Sequence, residues 1–194
     1  GTVYLNKEPA QKQFTVKNDG EVTIKFLSVQ KPSHIKVDMP ADLEPGKPGV
    51  IKVTYDARAK NVYGFASDNL LFATTDPGEE MISISIFATL EEYYAPPTAE
   101  ELLTAPQAFL KELRLDLGQY PPGASLERTV MLYNKGKKEL KVKALQGNCT
   151  CITAEVGKRS LRAGDSTQVK ILFKPQTRGG TQQKAVSIFT NDPR

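Results

Sequence analysis

The chain has 194 residues, 39% of them hydrophobic and 25% charged, with no tryptophan, one histidine and two cysteines. That is enough polypeptide for two domains of about ninety residues, each able to bury a modest core without a metal or other staple. No apolar stretch approaches the roughly 20 residues of a membrane-spanning helix, no basic-then-apolar signal peptide opens the chain, and a single histidine makes triad chemistry a poor fit.

Along the chain, Phe14-Thr15-Val16-Lys17 alternates apolar and polar residues and runs into Asn18-Asp19-Gly20. Ile24 and Phe26 follow, then Leu43-Glu44-Pro45-Gly46 and the alternating Ile51-Lys52-Val53-Thr54-Tyr55. A period of two is that of a strand with one buried face, and the intervening Asn, Gly, Asp and Pro clusters are turn chemistry. Asn18, Gly20, Gly46, Asp76 and Pro77 are therefore expected as structural turn residues, with the hairpin reading predicting positive φ at Gly20. His34 stands alone and reads as a surface or turn residue. Met81 to Ala88 alternates cleanly and is the expected last strand of this copy.

Periodicity then breaks at Tyr93-Tyr94-Ala95-Pro96-Pro97-Thr98. Residues 96–110 read as a short linker stiffened by proline, with Thr98 as N-cap of a turn or two of helix that Pro106 stops. Leu113, Leu115 and Leu117 alternate again and are expected to open a second copy.

The second copy repeats the first. Val130 to Gly136 echoes Phe14 to Gly20 and Thr190-Asn191-Asp192-Pro193 echoes Thr74-Thr75-Asp76-Pro77, both at an offset of 116, with Leu161-Arg162-Ala163-Gly164 matching Leu43 to Gly46 after a shift of two. Asn134, Gly136, Gly164, Asp192 and Pro193 are thus the matching turn residues, with positive φ expected at Gly136 as well. Strands at this spacing predict an all-β protein: two tandem immunoglobulin-like antiparallel β-sandwiches, 1–95 and 111–194, joined by the linker 96–110. By the same offset the first copy lacks the strand that opens the second, and the second stops before the counterpart of the Ile82-Ile84-Ile86 strand. The native protein is expected to be longer at both ends, and the edge beside Ala185 to Phe189 to be disordered or covered through strand addition.

A strand ending in Asn-x-Gly, a Cys-x-Cys, a Leu-x-x-Gly turn and a closing Thr-Asn-Asp-Pro resemble a bacterial family of unknown function, secreted or periplasmic and related to the abnormal-spindle/hydin group of immunoglobulin-like domains. The second copy carries the whole pattern in Asn134, Gly136, Cys149, Cys151, Leu161, Gly164 and Thr190 to Pro193, whereas the first has Ser33 and Ile35 at the cysteine positions by constant offset. The resemblance implies the fold and a periplasmic, extracellular or cell-surface location, with no activity to carry over.

Cys149 and Cys151 are the one site-like feature. In an extended segment they face the same side, and three readings compete: small apolar residues at the edge of the core, a Cys149–Cys151 disulfide, or a soft-metal or redox site short of ligands. The first is preferred, because Ser33 and Ile35 replace them in the other copy. No catalytic residue, cofactor or phosphate-binding loop is recognisable. Charge is uneven: residues 1–110 carry 10 Lys and Arg against 15 Asp and Glu, and residues 111–194 carry 16 against seven. Lys135, Lys137, Lys138, Lys141 and Lys143 read as a solvated hairpin edge rather than a nucleic-acid patch. The expected function is a non-catalytic structural or protein-interaction module with unidentified protein partners and no nucleic acid; the alternative is a thiol-dependent metal or redox site at Cys149 and Cys151.

Overall fold

Strands dominate the computed structural model, which describes residues 1–121, 123–176 and 179–194. They group into two units, Gly1–Tyr93 and Tyr94–Arg194. The first contains β1 (Thr2–Tyr4), β2 (Ala10–Lys17), β3 (Ile24–Gln30), β4 (Ile35–Asp38), β5 (Asp42–Leu43), β6 (Pro48–Tyr55), the short helix α1 (Ala57–Lys60), β7 (Gly64–Thr74) and β8 (Met81–Glu91). Its two sheets run β1-β8-β7-β3-β5 and β2-β6-β4. The inward side chains of both, among them Ile35, Ile51, Leu70, Phe72 and Leu90, make one buried core. All neighbours are antiparallel except β1, which lies parallel on β8.

The second unit contains α2 (Ala99–Thr104), β9 (Ala108–Leu110), β10 (Leu126–Asn134), β11 (Leu140–Gly147), β12 (Ile152–Val156), β13 (Ser160–Leu161), β14 (Ser166–Phe173) and β15 (Val186–Thr190). Its sheets run β12-β14-β10-β9 and β13-β11-β15, around Leu132, Leu140, Val142, Leu161 and Val169. The chain is all-β, with immunoglobulin-like sandwiches, and no described helix is long and apolar enough to cross a membrane.

The internal repeat extends to the hydrogen-bond register. In unit one Phe26 pairs with Thr74 and Ser28 with Ala73, with an irregularity between; in unit two Val142 pairs with Thr190 and Ala144 with Phe189, each 116 residues on. An extra residue in one strand at the same place in both copies is a built feature of the sheet.

The opening of unit two differs from the sequence expectation. Its first strand is Ala108–Leu110, inside the expected linker, and Leu113 is 85% exposed and outside any strand. The reason is pairing. Residues 108–110 take the free edge of β10 at Leu132 to Asn134, and the leucines of 113–117 lie outside any strand, with Leu117 packed against the cluster of Cys151, Ile152 and Phe173. Helix α2 is held by a capping box between Thr98 and Glu101, and its C-cap Ala105 N–H donates to Glu101 O at 2.8 Å.

The repeated asparagines lie at the hearts of the two units, each 1% exposed. Asn18 Nδ2 donates to Val22 O (2.7 Å) and Leu43 O (2.8 Å), while its Oδ1 accepts from Gly20 N–H (2.9 Å). Asn134 does the same with Lys138 O (2.8 Å), Leu161 O (3.0 Å) and Gly136 N–H (3.0 Å). Each thereby ties a turn to the short strand of the opposite sheet. Positive φ occurs at Gly46 (71°) and Gly164 (82°), not at Gly20 or Gly136, which corrects the hairpin reading. The asparagine side chain closes the turn by an Asx bond, so no left-handed residue is needed. Gly136 serves a different purpose: a β-carbon there would lie closer than 3.0 Å to Ala105 O, Pro106 C and Gln107 N. The aspartates close the other pair of turns. Asp76 Oδ1 accepts from Gly78 N–H (2.8 Å), Asp192 Oδ1 accepts from Arg194 N–H (3.1 Å), and Pro77 and Pro193 follow them in the chain.

Candidate functional site

One end of each sandwich is closed where the chain enters the strand paired with the tail of β6 or β14, and the two units close it with different chemistry. In unit one Asp68 points inward from β7, although its side chain is only 7% exposed. Its Oδ2 accepts from Tyr55 Oη (2.8 Å) and lies 3.1 Å from His34 Nε2, and Lys60 Nζ reaches both carboxylate oxygens at 2.6 and 2.7 Å. Burial raises the carboxyl, but the hydrogen bonds from Lys60, Tyr55 and His34 outweigh it and hold Asp68 below the usual carboxylate range. The Tyr55 phenol is pushed up, first by burial and then by its bond to Asp68. His34 is therefore not the surface residue expected from the sequence: its side chain is 11% exposed and stacks edge-on against Tyr55.

In unit two Cys149 and Cys151 form a disulfide, which corrects the reading of them as free apolar thiols. Cys151 is 2% exposed and packs with Ile152, Phe173 and Tyr120. Hydrogen bonds also correct which residues correspond. Asp56 N–H donates to His34 O and Lys174 N–H to Cys151 O, so Cys151 occupies the place of His34. Ile152 pairs with Phe173 as Ile35 pairs with Tyr55, one residue off the constant offset. Phe173 stands where Tyr55 stands in unit one, Tyr120 meets it edge-on at 5.8 Å, and by the offset of 116 Lys184 matches Asp68. Where unit one has a buried ion network, unit two has sulfur and aromatic rings.

A disulfide that spans so short a loop removes little entropy from the unfolded chain, about 1–2 kcal/mol on the loop-closure scale. Replacing both cysteines by alanine should therefore lower the stability of unit two by about that amount, leaving unit one unchanged. Amide exchange resolved by residue would measure it, and a loss spread equally over both units would contradict it.

The lateral side of unit two is its second notable feature. In unit one β7 is paired on both sides, by β3 and β8, and Ile82, Ile84 and Ile86 of β8 close the core there. In unit two β15, the counterpart of β7, pairs with β11 and ends its sheet among the described residues. Beside it opens a cleft of about 330 Å³ lined in part by Leu110, Leu132, Ile188 and Thr190. The basic hairpin is partly engaged: Lys135 Nζ sits 3.4 Å over the Phe109 ring, and Lys141 lies 3.5 Å from Glu139.

Residues 109–194 match the model of a family described as "Protein of unknown function (DUF1573)". A solved protein of unknown function from Porphyromonas gingivalis W83 is similar at a TM-score of 0.67 and 20% identity, over 99% of this chain and 88% of that one, which shows the fold. The E. coli chaperone DraB (TM-score 0.35, 10% identity, 99% of this chain and 89% of that one) is too distant to carry an argument. So is the Vibrio cholerae VesB protease (0.35, 13%, 46% and 29%). No curated protein matches the chain.

The sequence pointed to the cysteines and turns but missed the Asp68 network. Its one signal was a charged residue at an inward position of the alternating run Gly64-Phe65-Ala66-Ser67-Asp68-Asn69-Leu70.

Proposed function

We propose that the chain is a non-catalytic protein-interaction module of a secreted or periplasmic bacterial protein, and that it meets a protein partner by strand addition at β15. The carrying observation is that edge: β15, whose counterpart β7 has a neighbour on both sides, ends its sheet among the described residues and borders a cleft lined by Leu110, Leu132 and Ile188 together with Asp192 and Arg194. Backbone donors and acceptors along a sheet edge are a template for another chain. The Cys149–Cys151 disulfide fits an oxidising compartment. Its packing against Phe173 and Tyr120 fits a structural closure better than a thiol-dependent metal or redox site. The turn residues, including Asn18 and Asn134, serve the scaffold.

The test is retention from an envelope fraction. The immobilised chain is expected to hold one discrete protein in near-stoichiometric amount and to turn over nothing. Recovery of no protein above a control column, or hydrolysis of any substrate in proportion to the chain's concentration, would remove the reading.

A further inference from the structure

We infer that the outward face of β7 and β8 docks on the same face of a second copy of this chain, sheet on sheet, about a twofold axis at Asn69 and Ser85. The surface lies in unit one and is separate from the edge at β15.

Register puts ten side chains on that face. Alternate residues point outward, so Phe65 with Thr89, Ser67 with Phe87, Asn69 with Ser85, Leu71 with Ser83 and Ala73 with Met81 stand in five successive rows. None of them is charged, in a chain with 25% charged residues. Other outward faces differ: the second sheet of the same unit shows Lys36, Asp38 and Lys52, and unit two shows Glu127, Glu155 and Lys170. The core of a protein interface is depleted in charge and enriched in aromatic residues and methionine. Phe65 and Phe87, 61% and 58% exposed, stack with ring centroids 6.0 Å apart, and Met81 is 47% exposed.

The order of the rows selects the occupant. Turning a copy end for end about the middle row lays Phe65 over Ala73, Phe87 over Ser83, Leu71 over Ser67 and Met81 over Thr89. Turning it about an axis along the strands lays Phe65 over Thr89, Phe87 over Ser67, Leu71 over Ser83 and Met81 over Ala73. Either way a large side chain meets a small one, which is how two sheets about 10 Å apart interdigitate. The face is thus complementary to itself, and having no charge it does not repel itself. At the axis Ser85 Oγ donates to Asn69 Oδ1 at 2.8 Å, an uncharged polar pair.

Area sets the strength. Thr2 of β1 and Ser28 and Gln30 of β3 flank the rows and are uncharged as well. Five rows span about 30 Å and four strands about 20 Å, so the contact covers about 600 Å² per copy and about 1,200 Å² in total. That is the lower end for specific association, and it fits a reversible dimer rather than an obligate one.

Sedimentation of the full chain is the test. A monomer–dimer equilibrium is expected over micromolar concentrations, weakened roughly tenfold or more by Phe87→Asp, which puts a carboxylate into the contact. Asn69→Asp and Asn69→Lys should each be monomeric, because like charges meet at the axis. Their one-to-one mixture should recover the dimer and lose it in high salt. These side chains point outward, so each variant should melt close to the parent, which separates a lost contact from a lost fold. With Cys149–Cys151 closed, an Asn69→Cys chain should be joined to its copy by a bis-maleimide of about 10 Å reach, whereas Lys52→Cys, on the other sheet, should not. A monomer throughout that range, a dimer indifferent to Phe87→Asp or to charge at residue 69, no recovery in the mixture, or equal cross-linking at both cysteines would overturn the inference. All the variants lie in unit one, so either result is independent of what β15 binds.

Discussion

Gly136→Ala should cost unit two about 3 kcal/mol or more, while Gly20→Ala, at the matching position of unit one, should cost well under half of that. The two glycines hold the same place in the repeat and the same Asx bond, so sequence alone would assign them equal sensitivity. Their surroundings differ. A β-carbon at Gly20 meets only Asn18 Oδ1, at 3.2 Å, whereas one at Gly136 falls among main-chain atoms of Ala105, Pro106 and Gln107. Main chain cannot rotate away, so that segment must shift, putting at risk the bonds Lys135 N–H to Gln107 O (2.8 Å) and Lys137 N–H to Ala105 O (3.2 Å). Overpacking typically costs about 1–3 kcal/mol, and a disturbed buried backbone bond adds about one more. Denaturant dependence of amide exchange, followed separately for residues of β2 and β10, measures both variants. Equal losses would show that the turn itself, not the packing against residues 105–107, makes the glycine necessary.

Asp68→Ala should be the most damaging change in unit one, at about 3–5 kcal/mol, the range for removing one partner of a buried charged pair. It strands the ammonium of Lys60, whose side chain is 17% exposed, and the hydroxyl of Tyr55, a residue 5% exposed. The pH dependence has a definite sign. A carboxyl held low in the folded state contributes stability that is fully present above its unfolded value, about 3.9, and is lost as pH falls through the lower folded value. Unit one of the parent protein should therefore lose stability in acid below about pH 4, and the Asp68→Ala variant should show a flatter profile in that window. Parallel acid profiles for the two proteins would mean that Asp68 does not supply the dependence.

The strands were legible because one face of each is buried, and burial writes a period of two into residues such as Ile51, Val53 and Tyr55. Repeated turns were legible for a related reason: Asn18 and Asn134 satisfy buried backbone groups that an apolar residue would leave unpaired. What a linear string does not carry is who pairs with whom. Residues 113–117 alternate like a strand yet lie outside any strand, while Ala108–Leu110 is too short to show a period and pairs because β10 offers an edge. The same holds for the single-residue slip before β12. It puts Cys151 opposite His34, an equivalence visible only in the bonds from Lys174 and Asp56. Disulfide formation depended on the turn of the backbone between Asn148 and Ile152, which no spacing rule for extended strands describes.

The exchange of an ion network for a disulfide at equivalent positions gives the two halves of the chain different failure modes. Protons attack one half by neutralising Asp68; reductants attack the other by opening Cys149–Cys151. Neither agent touches the closure used by its neighbour. In acid the first unit therefore loses the charge that closes it while the disulfide of the second stays intact, and in a reducing medium the reverse holds.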